Sequence, residues 1–229
     1  MKILAIGAHP DDIEIFMFGL LSICLQRGDE IGLIVATDGS AGSVSINKNL
    51  AQIRKNETTK ALQNIAIPDM LGFQDGMLTS TKNAHTIINK KIKSFDPDLI
   101  ITHAPEDYHP DHRILSHYVT QSAGFTSPVI FCDTLMGVNF NPNFYVDISE
   151  VFQKKADAIM SHKSQTPEKF LEATTLMNRF RSAQCNAPKN NFAEAYRHDV
   201  SFPFSDIRSL LPGSPKIRNF YKNSKDSFI

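Results

Sequence analysis

The sequence has no tryptophan, three cysteines and no excess of either charge. Cys24, Cys132 and Cys185 lie far apart and form no Cys-x-x-Cys pair. That excludes a zinc knuckle and a disulfide framework, and makes a reduced cytoplasm the expected setting. Lys plus Arg number 24 and Asp plus Glu also 24. A nucleic-acid binder usually carries a basic excess, so nucleic acid is not an expected partner. No stretch approaches the roughly 18 consecutive apolar residues of a membrane-spanning helix. The apolar run Ile3 to Ala8 breaks at His9-Pro10-Asp11-Asp12. It is too short for a secretory leader, and no small-residue cleavage site follows. No Gly-x-Gly-x-x-Gly follows that run, which argues against a dinucleotide site. No Gly-x-Ser-x-Gly surrounds Ser40, Ser43 or Ser45, which argues against a serine nucleophile.

What remains is an ordinary globular composition, 41% hydrophobic and 21% charged over 229 residues, which excludes disorder and coiled coil as overall descriptions. Short apolar runs read as buried strands at Lys2–Gly7, Glu30–Thr37, Leu99–Thr102 and Val129–Cys132, with a weaker one at Met70–Phe73 before an Asp75-Gly76 turn. Between them fall helical patterns: Ile13 to Cys24 ending at Gly28, Leu50 to Asn64, Thr81 to Phe95, and Ile114 to Ala123. Asp38 to Ser43 reads as a flexible loop. This alternation predicts βαβ units in a Rossmann-like three-layer α/β/α fold, its mostly parallel sheet covered on both faces by helices. Beyond Asn143 the pattern predicts a strand at Phe144–Asp147, a helix from Val151 to His162 capped by Ser149, and a helix from Pro167 to about Gln184. One domain over residues 1–204 is the simplest count. Residues 205–229 hold five Lys or Arg against two Asp and read as a polar tail or arm.

Ligands of open α/β sheets collect beyond the carboxyl ends of the strands. Two chemically loaded segments fall there: His9-Pro10-Asp11-Asp12 after the first strand, and His109-Pro110-Asp111-His112 after the strand at Leu99. Each has a His and a second metal-competent residue three positions on, a spacing that shares one face at a helix start. Ligands from two such starts can converge on one ion. Two His and a carboxylate with an open fourth position make a hydrolytic zinc site, and a neighbouring carboxylate can relay the proton of the attacking water. Asp11, His109 and Asp111 are residue types suited to that work. A single His-Pro-Asp is an ordinary turn, but two at strand-to-helix transitions point to function.

These segments resemble the LmbE-like (PIG-L) N-acetylglucosaminyl deacetylases. The resemblance rests on Ala8 to Asp12, Thr37-Asp-Gly39 and Tyr108 to His112. Support comes from Arg54-x-x-Glu57, Asp75-Gly76, Tyr145-x-Asp147-Ile148, and Lys155 with His162-x-Ser164-Gln165. It implies a Rossmann-like enzyme that uses zinc to hydrolyse the acetamide of an N-acetylglucosamine-type conjugate, releasing acetate and a free amine. It further implies His9, Asp12 and His112 as zinc ligands and Asp11 as the base that later protonates the amine. His109 would be an imidazolium that stabilises the oxyanion, held and charged by Asp111. Arg54 and Asp75 match positions that contact the sugar or its aglycone, although Arg54 can equally pair with Glu57 on its own helix. Some family members place a mobile Tyr at the position of Asp107; here Tyr108 follows one residue later, as a cleft residue on the substrate side.

Other residues carry blander expectations. His103 and Glu106 read as loop residues lining the cleft, and His162 as a helix-end cap. His85, His117 and His198 read as surface or core residues, and the 16 phenylalanines as core. Two competing functions stay open: a metal-dependent hydrolase of another bond, and a non-catalytic module binding a sugar or nucleotide. The expected partner is a small amino-sugar conjugate. The exposed loops and basic tail leave room for a homo-oligomer.

Overall fold

The computed structural model describes residues 1–42, 49–221 and 224–227. At its centre lies β1 (Lys2–Gly7), whose side chains alternate between two hydrophobic clusters. Ile3 and Ala5 join one, and Leu4 and Ile6 the other. β4 (Leu99–Thr102) and β5 (Val129–Cys132) divide in the same way. Strands buried on both faces need apolar residues at every position, which is why these segments read as unbroken runs. β2 (Glu30–Thr37), β3 (Asp69–Phe73), β6 (Phe144–Asp147) and β7 (Ala193–His198) complete one seven-stranded sheet in the order β3-β2-β1-β4-β5-β7-β6. β3 through β5 pair in parallel, whereas β7 runs antiparallel to both β5 and β6.

The three-layer expectation is met. One cluster draws on α1 (Asp12–Phe16), α2 (Phe18–Gln26), α3 (Leu50–Leu62), α6 (Phe152–Ile159) and α7 (Pro167–Gln184). The other draws on α4 (Ala84–Phe95) and α5 (Pro110–Ala123). Strand order reverses between β1 and β4, so the loops after those two strands open at the switch point where ligands gather.

Three local readings are corrected. The helix expected to run from Ile13 to Cys24 breaks at Met17. Glu194 supplies the reason, because its carboxylate accepts the backbone N–H groups of Gly19 and Leu20 at 2.8 Å and caps a new helix start. A Cβ on Gly19 would stand 2.9 Å from that carboxylate, so only glycine permits the approach. Lys155 Nζ and the Tyr196 hydroxyl, both buried, donate to Glu194 at 2.7 Å. Second, α5 begins at Pro110, four residues before the expected Ile114, with His109 as its N-cap. Third, β7 was not anticipated: Ala-Glu-Ala-Tyr-Arg-His has no strand-like alternation, and pairing with β5 and β6 overrides its propensity.

The segment from residue 205 packs partly against the body. Ile207 is buried in the core, and Gly213 O accepts the Asp147 N–H at 3.1 Å. Ser43 and Ser45, and with them the end of the loop expected at Asp38 to Ser43, lie outside the described residues. Among the described residues, no helix is long and apolar enough to cross a membrane.

Candidate metal centre and active site

The two loaded segments meet. His9 Nδ1 lies 3.1 Å from His112 Nε2 and 3.4 Å from Asp12 Oδ2, and His112 Nε2 lies 3.3 Å from the same oxygen. Bonds of about 2.0–2.1 Å to a tetrahedral ion place ligand atoms about 3.3–3.4 Å apart. The three atoms therefore stand at the spacing such an ion requires.

Carboxylates lie against the far nitrogen of each ring. His9 Nε2 lies 3.1 Å from Asp75 Oδ1 and 3.4 Å from Asp111 Oδ2, and His112 Nδ1 lies 3.0 Å from Asp107 Oδ2, close enough for charge attraction but not at hydrogen-bonding angles. A carboxylate draws the ring proton to the nitrogen it faces. His9 Nδ1, His112 Nε2 and Asp12 Oδ2 converge on one point, where a shared cation, either a proton or a metal ion, offsets their mutual repulsion. Five aspartates (Asp11, Asp12, Asp75, Asp107 and Asp111) surround this point, and among the described residues Arg54 is the arginine paired with one of these carboxylates. Burial opposes a charged imidazole at His9 and His112, yet these carboxylates raise the pKa of both rings. The residues fit a divalent cation held by two nitrogens and one oxygen.

Each wall of the centre is braced. Fully buried His103 stacks on His112 with ring centroids 3.7 Å apart, accepts the Ala8 N–H, and lies 3.1 Å from Asp12 Oδ2. Asp107 also accepts the His109 N–H, which ties the loop to its own helix cap. Asp111 accepts the backbone N–H groups of Gly76 and Leu78. The expected contact between the Asp111 carboxylate and His109 is not made; His109 Nδ1 instead accepts the backbone N–H of Asp111 at 3.2 Å. Burial, then the neighbouring His9 and His112, lower the His109 pKa, opposite to the direction expected for an imidazolium.

Asp11 sits beside this centre with φ 122° and ψ −22°, a backbone conformation that side-chain-bearing residues rarely adopt. Burial pushes its carboxyl up to about 6, with Arg54 pulling the other way. A cleft of about 300 Å³ opens over His9, Asp11, Asp12 and His112. Tyr108, 55% exposed, lines it with His109, Leu135, Gln165 and Phe170. Asp75 borders the cleft while its carboxylate faces His9. Arg54 also borders it but pairs with Asp11 and not with Glu57, which receives the N–H and hydroxyl of Ser164. Glu106 pairs with Arg197 on β7.

Several contributors went unassigned in the sequence. Asp107 was considered only as the place of an absent Tyr, and its offset of five residues from His112 was the available signal. His103 read as a loop residue, yet it is a buried brace. His162, read as a helix-end cap, is a buried partner of Glu14 on α1 at 2.8 Å. Gln165, Leu135 and Phe170 reach the cleft only through the packing of α7 and the loop after β5.

The fold and the site together define a three-layer α/β protein with a metal-competent cluster at its topological switch point. The chain belongs to the PIG-L family: the family described as GlcNAc-PI de-N-acetylase matches residues 4–123. It is 30% identical to the probable N-acetyl-alpha-D-glucosaminyl L-malate deacetylase 2 of Bacillus cereus over 192 residues, 75% of this chain and 86% of that protein. Two solved structures share the fold with a TM-score of 0.77 each. One is the N,N'-diacetylchitobiose deacetylase of Pyrococcus horikoshii, 22% identical and covering 92% of this chain and 88% of its own. The other is GalB, the 4-carboxy-2-hydroxymuconate hydratase of Pseudomonas putida, 17% identical and covering 90% and 99%. Equal likeness to a deacetylase and a hydratase shows that the fold alone does not choose the reaction.

Proposed function

We propose that the protein is a zinc-dependent hydrolase that removes the N-acetyl group from a small N-acetylglucosamine-type conjugate in the cytoplasm. The observation that carries this reading is the convergence of His9 Nδ1, Asp12 Oδ2 and His112 Nε2 beside the buried carboxylate of Asp11, at the floor of an open cleft. Two nitrogens and one oxygen at this spacing suit zinc. The family match and the deacetylase names of relatives support an amino-sugar substrate. Unpaired Cys24, Cys132 and Cys185 support a reducing compartment.

In this reading the ion would be held by His9, Asp12 and His112. Bound there, it would acidify a water and polarise the acetamide carbonyl. Asp11, its carboxyl lifted toward neutrality by burial, accepts the proton of the attacking water and returns it to the departing amine nitrogen. His109 engages its Nδ1 with a backbone N–H, so its Nε2 carries the ring proton and donates toward the carbonyl oxygen as negative charge develops. Asp107 and the pair Asp75 and Asp111 keep the two imidazole lone pairs aimed inward. Tyr108 and Gln165 at the cleft walls offer polar groups to the sugar hydroxyls.

The test is acetate and amine release from a panel of N-acetylglucosamine conjugates, run beside phosphoester hydrolysis and alkene hydration, with zinc measured per chain. Acetate release that tracks about one zinc per chain is the expected result. Turnover of a phosphoester or alkene substrate alone would replace this reading.

A further inference from the structure

Arg54 is where the implied role and the geometry part. A substrate anchor needs a guanidinium open to the cleft, yet Arg54 is 3% exposed. Its terminal nitrogens are committed to the protein. One donates to Gly39 O at 3.0 Å; the other bridges Pro10 O at 2.5 Å and Asp11 Oδ2 at 3.0 Å. That bridge grips the peptide just before Asp11 and the Asp11 side chain together, at the residue whose φ is 122°. Such a conformation persists only where its surroundings over-determine it, and the Arg54 bridge restrains it together with the backbone bonds from Ile15 N to Asp11 O and from Asp12 N to His9 O. Arg54 borders the cleft with the Asp11 carboxylate already seated on its guanidinium.

The loop after β2 is shaped around the same group. A Cβ on Gly39 would come within 2.8 Å of the guanidinium, and one on Gly42 would overlap its Nη1. Gly39 has a left-handed φ of 66° and needs glycine on that ground as well; Gly42 does not, and its lack of a side chain is explained by the approach of Arg54 first and of Gln165 Oε1 second, the latter 2.9 Å from where a Cβ would stand.

We propose that Arg54 is a positioning residue that holds the Asp11 carboxylate in its strained, productive place, and is not the anchor of the substrate's aglycone. The proposal rests on the deacetylase reading for its kinetic consequence but not for its structural one. It predicts that substrate selectivity toward charged aglycones comes from elsewhere on the rim, and that the base and the β2 loop move together.

The test uses the zinc-loaded full chain, Arg54→Ala, Arg54→Lys and Gly42→Ala, with neutral N,N'-diacetylchitobiose and anionic N-acetylglucosaminyl malate as substrates. Arg54→Ala is expected to lower kcat about 100-fold on both, with KM within about threefold and zinc content unchanged, because a displacement near 1 Å at the base costs on that order. Millimolar methylguanidine should restore part of kcat. Gly42→Ala keeps the guanidinium but pushes it, and should lower kcat about tenfold in the same pattern. Crystal structures of Arg54→Ala and the parent should show Asp11 leaving its positive φ. A rise in KM confined to the anionic substrate with kcat retained would overturn the proposal, as would an Asp11 that keeps its φ and carboxylate position without Arg54. Should the parent enzyme release no acetate from either conjugate, the deacetylase reading fails, and the crystal structures alone decide the role of Arg54.

Discussion

The tripeptide His-Pro-Asp occurs at both 9–11 and 109–111, and the fold gives it two shapes. In the first copy Asp11 takes a strained positive φ, the following α1 spans only five residues, and no side chain caps it. In the second copy His109 is an extended N-cap, Pro110 fills the first turn, and α5 runs for 14 residues. The aspartates end in opposite roles as a result. Asp11 faces the cleft, gripped by an arginine 43 residues away. Asp111 turns from its own His109 and braces His9 of the other copy. A shared motif therefore assigns residue types to a site without assigning which aspartate does what; long-range hydrogen bonds make that choice.

Exchanging the damage between the two copies breaks the comparison most directly. Asp11→Ala is expected to lower turnover about 10³-fold while the protein keeps its zinc, because a lost general base costs about 10²–10⁴. Asp111→Ala should show the reverse emphasis: zinc affinity, measured by competition with a chelator, falls about 10–100-fold as His9 loses its orienting carboxylate. Equal zinc loss in both variants would show that the copies are equivalent after all. Asp107→Asn should weaken zinc by a similar or smaller factor through His112, and a variant with parental affinity would remove Asp107 from the centre.

The acid limb of the pH–rate profile sharpens the contrast further. With its carboxyl lifted to about 6, Asp11 is protonated below that pH and no longer a base, so kcat/KM should fall as pH drops through about 6. Arg54 opposes that upward shift, so Arg54→Ala should move the limb to higher pH. The smallest effect is on stability. Although burial works against it, Glu14 raises the pKa of His162, so the charged pair stabilises the fold fully below the ordinary histidine value of 6.5 and less as pH rises through the raised one. The stability gap between the parent and His162→Gln, measured by denaturant unfolding, should be widest near pH 6, at about 1.5–3 kcal/mol, and shrink toward pH 9.

Much of the architecture was legible because parallel strands buried on both faces leave continuous apolar runs, as at Ile3 to Ile6 and Leu99 to Ile101. The break at Met17 was not, since the cap that causes it lies 175 residues from Gly19. The strand at Ala193–His198 was hidden for the same reason: its residues favour no strand until β5 and β6 flank them. Within the site, the meeting of His9, Asp12 and His112 was legible from spacing and family resemblance together. His103, Asp107 and the inward role of Arg54 were not, because each depends on which neighbour its polar atoms meet once water is excluded.

Residue order by itself determined the layered α/β class, the switch-point loops and the inventory of imidazoles and carboxylates delivered there. Those follow from local apolar periodicity and from strand-to-helix transitions, which act over a few residues. Only the tertiary structure decided which nitrogen of each histidine faces inward, which aspartate borders the cleft beside Arg54 and which turns to His9. Buried polar groups must find partners, and here the partners come from segments up to 180 residues apart that share neighbours only after the sheet has assembled.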